Sequence, residues 1–453
     1  MNQGKNIERL AVVGAVAAGM SAASQAKRRN PNLEVVVFDR GPHVSYGACG
    51  MPYNIQDSDR AIDDLVVISA ERFRSERGID MRTGHEVTEI DPEAGRLRFK
   101  RSQGEGEFAF DALVLATGCR AVTPNWPGKD LPGIFALHTL EQAASIKRYL
   151  QDRSLRRAVV VGGGHIGLEM ADVLTSRGLA VTLIKRSSDL PSGYPEVISQ
   201  LVQSELDRFG VKVMIGTEIS GFEGAVRVEQ VKTSAGPIPA DVVILATGVK
   251  PEVDLAQQAG IRIGACGAIA VDETMATSAP GVYAAGDCAE AYHRLLKRGV
   301  FMPRGTTANK QGKIAGANVL GAGERFPGIM GTSITKIFSL EVGHTGLMEQ
   351  EANALGLEAQ AIHIKARTRA HGYPGAKEIL VRLVFEPMGG RLLGAQMAGG
   401  EGVAKRIDVL VAALSAGWSV DELAGLDLSY APPFAPVWDP ILVAANIAKK
   451  KVR

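Results

Sequence analysis

The sequence of 453 residues contains little cysteine, few aromatic residues and almost no excess charge. Its four cysteines form no C-x-x-C pair and match no zinc-site spacing, so we expect no metal centre. They are also too few for a secreted disulfide scaffold, which favours a reducing, cytoplasmic location. A net charge of +2 indicates neither nucleic acid nor an anionic membrane as a partner.

Long hydrophobic runs are also missing. The apolar stretch at residues 10–23 follows Lys5 and Arg9 and superficially resembles a signal peptide, but glycines interrupt it and a strand pattern follows. No other stretch is apolar for long enough to span a bilayer. The length and a composition with 45% hydrophobic residues predict a globular protein of two or three domains.

Glycine, by contrast, is abundant, and much of it follows predicted strands. Residues 10–13 (LAVV) form a buried strand pattern, residues 14–19 (GAVAAG) a Gly-rich turn, and a small-residue helix runs to about Arg29. The next strand pattern, at residues 34–38, ends at Asp39. This strand–turn–helix–strand order is the context that a dinucleotide-binding turn requires.

The same unit recurs about 150 residues later. The strand at residues 158–161 enters a second turn at residues 162–167 (GGGHIG), and a helix and a strand at residues 180–184 follow. The segment LVLATG at residues 113–118 is likewise echoed by VILATG at 243–248. Two units of this kind predict an α/β fold with two Rossmann-like domains and two bound nucleotides.

The strand that follows each turn ends in a different charge. Asp39 lies 25 residues after Gly14, where a carboxylate can accept hydrogen bonds from ribose hydroxyls, although Val16 replaces the second glycine of the motif. The second copy ends in Lys185 and Arg186, which favours the 2′-phosphate of NADPH and leaves NADH use open.

A third motif, GVYAAGD at residues 281–287, completes a resemblance to the pyridine nucleotide-disulfide oxidoreductase family. The resemblance implies a discontinuous FAD-binding domain at residues 1–120 and 250–328, an NAD(P)H-binding domain at 121–249, and an α+β dimerisation domain at 329–453 that forms a homodimer. The family positions that it assigns to FAD are Gly14, Ala15, Val16, Ala18, Gly19, Asp39, Arg40, Thr117, Gly118, Gly286, Asp287, Thr307 and Ala308. Those that it assigns to NAD(P)H are Gly162, Gly164, His165, Ile166, Gly167, Glu169, Lys185, Arg186 and Gly248.

Cys49, in the stretch YGACGMPYN, is the predicted redox residue. It begins a predicted helix, where the local dipole favours a thiolate. Two-cysteine members of the family carry a second cysteine where this chain has Asn54, so the resemblance implies chemistry at a single sulfur. Cys119, Cys266 and Cys288 are interpreted as core fillers.

Within the single-cysteine branch, the chain is most similar to coenzyme A-disulfide reductases and persulfide or sulfur reductases. The resemblance assigns coenzyme A binding to Gln25, Arg28 and Ser45, although Ala48 replaces an expected asparagine. Peroxidases and NADH oxidases of this branch carry a histidine where this chain has Ala17. An NAD(P)H oxidase or peroxidase is the first alternative, and Ala17 counts against it. A flavoprotein reductase of a redox-protein partner is the second.

A proton donor for the leaving thiolate is also needed, and no histidine follows His371. The resemblance points to Tyr373 and Tyr430, contributed across the dimer interface. A phenol with a pKa near 10 can donate a hydrogen bond at neutral pH. Tyr430 is the favoured donor, while Tyr373 is equally well explained as an interface residue.

Overall fold

The computed structural model describes residues 7–187 and 189–453. The strands are, in chain order, β1 (Arg9–Val13), β2 (Glu34–Asp39), β3 (Asp80–Thr83), β4 (Glu86–Asp91), β5 (Arg96–Arg101), β6 (Gly104–Ala109), β7 (Ala112–Leu115), β8 (Cys119–Ala121), β9 (Ile134–Ala136), β10 (Arg157–Val161), β11 (Ala180–Ile184), β12 (Lys212–Met214), β13 (Ile219–Glu223), β14 (Gln230–Thr233), β15 (Gly236–Pro239), β16 (Val242–Leu245), β17 (Val249–Pro251), β18 (Val282–Ala284), β19 (Ala291–His293), β20 (Arg298–Val300), β21 (Ser333–Ile337), β22 (Leu340–Gly346), β23 (Gln360–Arg367), β24 (Glu378–Phe385) and β25 (Leu392–Gly399).

The helices are α1 (Ala17–Arg29), α2 (Met51–Gln56), α3 (Ala70–Arg77), α4 (Leu140–Tyr149), α5 (His165–Ser176), α6 (Glu196–Arg208), α7 (Asp254–Gln258), α8 (Gly305–Asn318), α9 (Glu349–Ala354), α10 (Val403–Ala416), α11 (Val420–Ala424) and α12 (Pro440–Lys449). Short 3₁₀ turns occur at Ala48–Gly50 and Ile62–Leu65. Every helix in the described ranges is too short or too polar to cross a membrane.

These elements group into two compact units that are each assembled from three stretches of chain. Unit 1 contains Met1–Val122, His138–Arg148 and Gly248–Ile329, and unit 2 contains Thr123–Leu137, Tyr149–Thr247 and Met330–Arg453. Most of helix α4 therefore belongs to unit 1, although the segments on either side of it belong to unit 2.

Unit 1 is built on a parallel sheet with the strand order β18-β7-β1-β2-β3. β1, β2 and β7 are apolar almost throughout because both faces of the sheet are covered. Helices α1 and α8 lie so close together that a Cβ on Gly312 would be 2.1 Å from the carbonyl oxygen of Ala18. The small residues of both helices permit this approach, which fixes the start of α8.

Unit 2 contains a second parallel sheet, ordered β12-β11-β10-β16-β9, and an antiparallel sheet, ordered β21-β22-β25-β24-β23. Helices α10 and α12 pack against the antiparallel sheet, and Arg406 of α10 donates to both carboxylate oxygens of Asp439. The sequence-based fold class is confirmed: two parallel sheets of Rossmann type and a C-terminal α+β region.

Candidate active site

The first Gly-rich turn connects β1 to α1. Gly14 has φ +106°, and an added Cβ would lie 2.1 Å from the carbonyl oxygen of Ala116, so only glycine fits. The turn is pinned by a hydrogen bond of 2.8 Å from the Gly14 amide to the carbonyl of Phe38. The start of α1 and the ends of β1, β2 and β7 thus lie at one edge of the sheet.

Val16, the departure from the motif, is explained by its backbone. Its φ of −103° is accessible to any residue, so a β-branched side chain is tolerated at this position. Val16 precedes α1 without a side-chain cap on the helix. The imperfect motif therefore still gives the turn that the sequence predicts.

Asp39 at the end of β2 holds this turn through its carboxylate. Its two oxygens accept the amides of Ala15 and Gly41, each at 2.7 Å. Burial raises the pKa of Asp39, against the lowering effect of these two amides and of Arg40. A half-buried carboxylate at a strand end, beside a Gly-rich turn, suits the hydroxyls of a ribose.

The GVYAAGD motif places a second acid in unit 1. The Gly286 amide donates to Gln311 of α8 at 2.9 Å, and the Gln311 side chain donates to the carbonyl of Glu290, so the turn before Asp287 is fixed. Burial raises the pKa of Asp287, and its carboxylate accepts the Cys119 thiol at 3.7 Å.

The other residues assigned to FAD line the same part of unit 1. Thr117 donates its hydroxyl to the carbonyl of Glu252 at 2.6 Å, and Gly118 follows with φ +73°. Thr307 and Ala308 are buried in the first turn of α8.

The second turn, in unit 2, repeats the geometry of the first. Gly162 has φ +110°, and an added Cβ would lie 2.1 Å from the carbonyl oxygen of Ala246. A Cβ on Gly167 would lie 1.9 Å from the oxygen of Gly162, so α5 starts close to the turn. A Cβ on Gly164 would meet nothing within 4 Å, which leaves the main chain open to a phosphate.

His165 and Ile166 begin α5, and Glu169 on the same helix accepts the hydroxyl of Thr335 at 3.2 Å. Gly248 follows β16 with φ +103° and accepts the Val122 amide at 2.9 Å.

The two cations after β11 have different surroundings. Lys185 is buried, and its ammonium donates to the carbonyl of Asp189 and lies 3.3 Å from the Asp189 carboxylate. Burial lowers the pKa of Lys185. Arg186 is exposed. The side chain available to a ligand is therefore that of Arg186, and Lys185 braces the loop.

Cys49 is exposed, and the chain before it is tied to the first Gly-rich turn. The Ser45 amide donates to the carbonyl of Ala15 at 2.8 Å, and Ser45 has a left-handed φ of 49°. Cys49 lies in a 3₁₀ turn, and helix α2 begins two residues later at Met51 with Pro52 in its first turn. The prediction that Cys49 begins the helix is therefore wrong by two residues, since Cys49 lies in a tight turn between Gly47 and the start of α2.

The other three cysteines have less reactive surroundings. Cys119 and Cys288 are buried, and Cys266 is half-buried. Burial raises the pKa of Cys119, and the nearby Asp287 carboxylate acts in the same direction. Burial also raises the pKa of Cys266 and Cys288. A thiol with a raised pKa is a poor nucleophile at neutral pH, so Cys49 is the accessible sulfur.

The residues assigned to substrate are brought together only in part. Gln25 is buried in α1 and accepts the Arg28 guanidinium at 2.8 Å, while Arg28 itself is exposed. Ser45 is half-buried, and its amide contacts Ala15.

The two predicted proton donors lie on adjacent segments of unit 2. The Ala370 amide donates to the carbonyl of Pro432 at 3.2 Å, and the Tyr373 amide donates to Ala370, which joins the two segments. The guanidinium carbon of Arg369 lies 5.8 Å from the centroid of the Tyr373 ring. Tyr430 is 49% exposed. Cys49 and the two tyrosines belong to different units.

Two charged features were not anticipated from the sequence. Asp111 and Asp241 directly precede the repeated strands β7 and β16, and each accepts main-chain amides at the start of the neighbouring strand. The aspartate before each LVLATG-like segment was the available signal. Lys147 of α4 is also buried, and nothing in its sequence context marks it.

The residues of the two turns fit the dinucleotides of this class of fold. Unit 1 offers a tight glycine turn and two half-buried carboxylates, Asp39 and Asp287, that can accept hydrogen bonds from the hydroxyl groups of a flavin dinucleotide. Unit 2 offers an open glycine turn at a helix N-terminus and the exposed cation of Arg186.

Known proteins resemble the chain over most of its length. Residues 8–312 match the pyridine nucleotide-disulphide oxidoreductase family, and residues 332–440 match the dimerisation domain of that family. The chain is 40% identical over 448 residues to the NAD(P)H coenzyme A polysulfide/persulfide reductase of Pyrococcus horikoshii, with 98% of this chain and 100% of that protein covered.

Two further relatives differ in their named activity. The NADH oxidase of Methanocaldococcus jannaschii is 37% identical over 446 residues, with 98% of this chain and 99% of that protein covered. The solved structure of an NAD-dependent persulfide reductase from A. fulgidus has a TM-score of 0.95 and 36% identity, covering 98% of this chain and 83% of that chain.

The family implies FAD and NAD(P)H as cofactors, and the resemblance seen in the sequence is confirmed. The chain belongs to the pyridine nucleotide-disulphide oxidoreductase family and is an NAD(P)H-dependent flavoprotein of the disulfide-reductase type.

Proposed function

We propose that the protein reduces coenzyme A disulfide, or a related small disulfide or persulfide, through the single sulfur of Cys49. The observation that carries this proposal is the hydrogen bond from Ser45 to Ala15, which ties the segment before the exposed Cys49 thiol to the FAD-type turn. The raised pKa values of the other thiols support the same assignment.

The proposed reaction begins with attack by the Cys49 thiolate on a sulfur of the substrate RS–SR. The substrate S–S bond breaks, a mixed disulfide between Cys49 and RS forms, and the other thiolate leaves and takes up a proton. FAD, when bound, would pass on the two electrons that NAD(P)H provides. Two electrons and one proton convert the mixed disulfide into the second thiol, RSH, and the free Cys49 thiolate. The balance is RSSR + NAD(P)H + H⁺ → 2 RSH + NAD(P)⁺.

Tyr430 is proposed as the donor that assists the leaving thiolate, with Tyr373 as its neighbour. Both tyrosines are at least partly exposed in unit 2, and the Ala370–Pro432 hydrogen bond holds their segments together. In this proposal a second copy of the chain supplies them, because the match to the dimerisation domain includes both positions. The protein would then act as a homodimer.

Coenzyme A as the thiol carrier is the finer part of the proposal. The named activity of the P. horikoshii relative includes coenzyme A and persulfide substrates, and that relative is matched over its whole length. Arg28, exposed and hydrogen-bonded to the buried Gln25, offers a cation to the phosphates of coenzyme A. A persulfide would use the same thiol, giving one thiol and one sulfide per NAD(P)H.

The domain roles are part of the same proposal. Unit 1 would bind FAD, the Rossmann-type sheet of unit 2 would bind NAD(P)H, and Arg186 would favour NADPH by contacting its 2′-phosphate. A cytoplasmic location is also part of the proposal, because an exposed thiol such as that of Cys49 persists in a reducing compartment.

A second candidate is an NADH oxidase, which the named activity of the M. jannaschii relative favours. In that function Cys49 would cycle through a sulfenic acid with oxygen or peroxide. Ala17 argues against it, because the position offers no imidazole to assist a sulfenate.

Turnover with each acceptor tests the two candidates directly, with oxygen excluded from every assay except the one in which oxygen is the acceptor. NADPH and NADH are compared against coenzyme A disulfide, glutathione disulfide, polysulfide and oxygen, with Cys49→Ser as the variant and Cys119→Ser as the matched control. We expect disulfide or persulfide turnover to fall at least about 100-fold in Cys49→Ser and to persist in Cys119→Ser. Full turnover of every acceptor by Cys49→Ser would instead indicate a reductase that passes electrons directly from the flavin to a partner.

A further inference from the structure

A buried polar cluster lies just after the proposed redox cysteine. Asn54 is fully buried, and its side-chain amide donates to the carbonyl of Ala61 at 2.7 Å. The ammonium of Lys147, which is only 9% exposed, donates to the Asn54 carbonyl at 2.9 Å and to the Asn54 side-chain oxygen at 3.0 Å. Burying an ammonium is costly, so a lysine in such a place has a specific task.

Two further contacts of Lys147 indicate what that task is. Its ammonium also donates to the carbonyl of Asp57 at 2.6 Å and to that of Arg60. These oxygens belong to the end of α2 and to the loop that follows it, where carbonyls have no partner within the helix. One cation therefore gathers the chain from residue 54 to residue 60.

Helix α4, which carries Lys147, also holds the chain before Cys49. Glu141, in the first turn of α4, contacts the imidazole of His43 at 2.7 Å. The segment from His43 to Arg60 is thus held by α4 on both sides of Cys49, and all of these residues belong to unit 1.

α2 needs such support because it has only six residues. A helix of that length is unstable in isolation and depends on contacts at its ends. Cys49 is exposed and directly precedes α2, with only Gly50 between them. The position of the sulfur depends on the backbone that carries it.

We infer that Lys147 and Asn54 are positioning residues for Cys49: the buried ammonium fixes α2 and thereby holds the reactive sulfur in place. The inference rests on the proposed function only for the role of Cys49. The hydrogen bonds of the cluster restrain the segment from residue 54 to residue 60 without a covalent bond. Neither residue is proposed to touch the substrate.

The first test replaces Lys147 by methionine, which keeps a long apolar side chain and leaves the carbonyls without their cation. The control is Arg74→Met, which removes a guanidinium that donates to the carbonyl of Met81 in the same unit. The holoenzymes are compared in three assays: turnover with coenzyme A disulfide or polysulfide, NAD(P)H oxidation by a dye that takes electrons directly from the flavin, and the rate of Cys49 alkylation at pH 7 followed by peptide mass spectrometry.

For Lys147→Met we expect kcat with the sulfur acceptor to fall about 10- to 100-fold, since small misplacements of a reacting group cost this much. Cys49 alkylation should slow about threefold as the thiolate loses its favourable place. Dye reduction should stay within about twofold of the wild type, and Arg74→Met should leave all three rates near wild type. An equal fall in dye and sulfur-acceptor turnover would mean a general structural role and would overturn the inference.

A pair of Asn54 variants serves if Lys147→Met fails to fold. Asn54→Asp keeps an oxygen for the ammonium, and we expect sulfur-acceptor turnover within about fivefold of the wild type. Asn54→Leu removes that oxygen at similar size, and we expect the loss predicted for Lys147→Met. Equal turnover in the two variants would overturn the inference.

The outcome is separable from that of the proposed function. If Cys49→Ser keeps full turnover, the redox role of Cys49 fails, and the alkylation rates of the Lys147 and Asn54 variants still decide whether the cluster positions the sulfur. If Cys49→Ser is inactive while Lys147→Met behaves as wild type in every assay, only the positioning role fails.

Discussion

The two Gly-rich turns, at residues 14–19 of unit 1 and 162–167 of unit 2, repeat the same main-chain contacts. Gly14 donates to Phe38 and Gly162 to Ile184, each at 2.8 Å, and the space for a Cβ is blocked by a carbonyl oxygen at 2.1 Å in both. The strand ends differ. The Asp39 carboxylate accepts the Ala15 amide of the first turn, whereas the Lys185 ammonium forms an ion pair with Asp189. Turn geometry is therefore shared, and the charge after the second strand is what distinguishes the two copies.

The largest expected effect comes from breaking the shared geometry. Gly14→Ala and Gly162→Ala each place a methyl group against a carbonyl and require a positive φ, which we expect to cost about 3 kcal/mol or more in the affected sheet. Gly14→Ala should purify without flavin, and Gly162→Ala should keep flavin but lose reduction by NADPH. The flavin content of the purified variants and the anaerobic reduction of their flavin by NADPH measure these two effects.

Gly178→Ala is the control for these variants, since its φ of +84° is also positive but nothing lies within 4 Å of the added Cβ. We expect a cost of about 1 kcal/mol for it. Flavin retained by Gly14→Ala at wild-type level would contradict the assignment of the first turn.

The second effect tests the carboxylate of the first copy. Asp39→Asn replaces an acceptor of two amides and of the proposed ribose hydroxyls by a neutral amide. We expect FAD affinity to fall by about 2 kcal/mol, or roughly 30-fold. Fluorescence titration of the apoprotein with FAD measures it, and unchanged affinity would remove Asp39 from the site.

The third effect separates the two cations of the second copy. Because Arg186 is exposed and Lys185 is engaged by Asp189, Arg186→Ala should raise the KM for NADPH about tenfold and leave that for NADH unchanged. Lys185→Met should raise the KM values for NADPH and NADH equally, and by less than tenfold, because it removes the contact with Asp189. Steady-state kinetics with the two nucleotides distinguish these results, and an NADPH-specific effect of Lys185→Met alone would reverse the assignment.

The smallest effect concerns the aspartate that precedes the last strand of each copy. The Arg157 guanidinium lowers the pKa of Asp241 to about 2, and the amides of Arg156 and Arg157 act in the same direction. Since the unfolded value is about 3.9, the charged form stabilises the fold above about pH 4, and this stabilisation is lost as the pH falls towards 2.

Asp241→Asn should therefore lower the free energy of unfolding by about 1 kcal/mol at pH 7, a figure that allows for the half-exposed Arg157. The difference from wild type should shrink below pH 4. Urea unfolding at pH 7, 4 and 3 measures it, and a difference that does not depend on pH would mean that the charge has no part.

The repeated pattern explains why so much of the fold was predictable. The apolar strands β1, β2, β10 and β16 are buried on both faces, so their sequences carry a continuous signal, and Gly14 and Gly162 mark the turns between them. The position of Asp39 at a strand end suggested its role, whereas the role predicted for Asp287 came from the resemblance to the family.

The parts that were not predictable depend on contacts between distant segments. Lys147 looks like a solvated residue of an amphipathic helix, and only the folded chain shows that it meets carbonyls some 90 residues earlier. Lys185 resembles its neighbour Arg186 in sequence, and only its contact with Asp189 distinguishes the two. Val16 breaks a motif that its negative φ permits.

The placement of α4 has a consequence for biosynthesis. Unit 1 draws on three stretches of chain, and the last of them ends at Ile329. During translation the stretch around Cys49 emerges long before the segment bearing Lys147, and β18 and α8 emerge later still. A ribosome-bound chain cannot finish the sheet of unit 1 until β18 has been synthesised, so capture of the flavin is expected to be a late event in maturation.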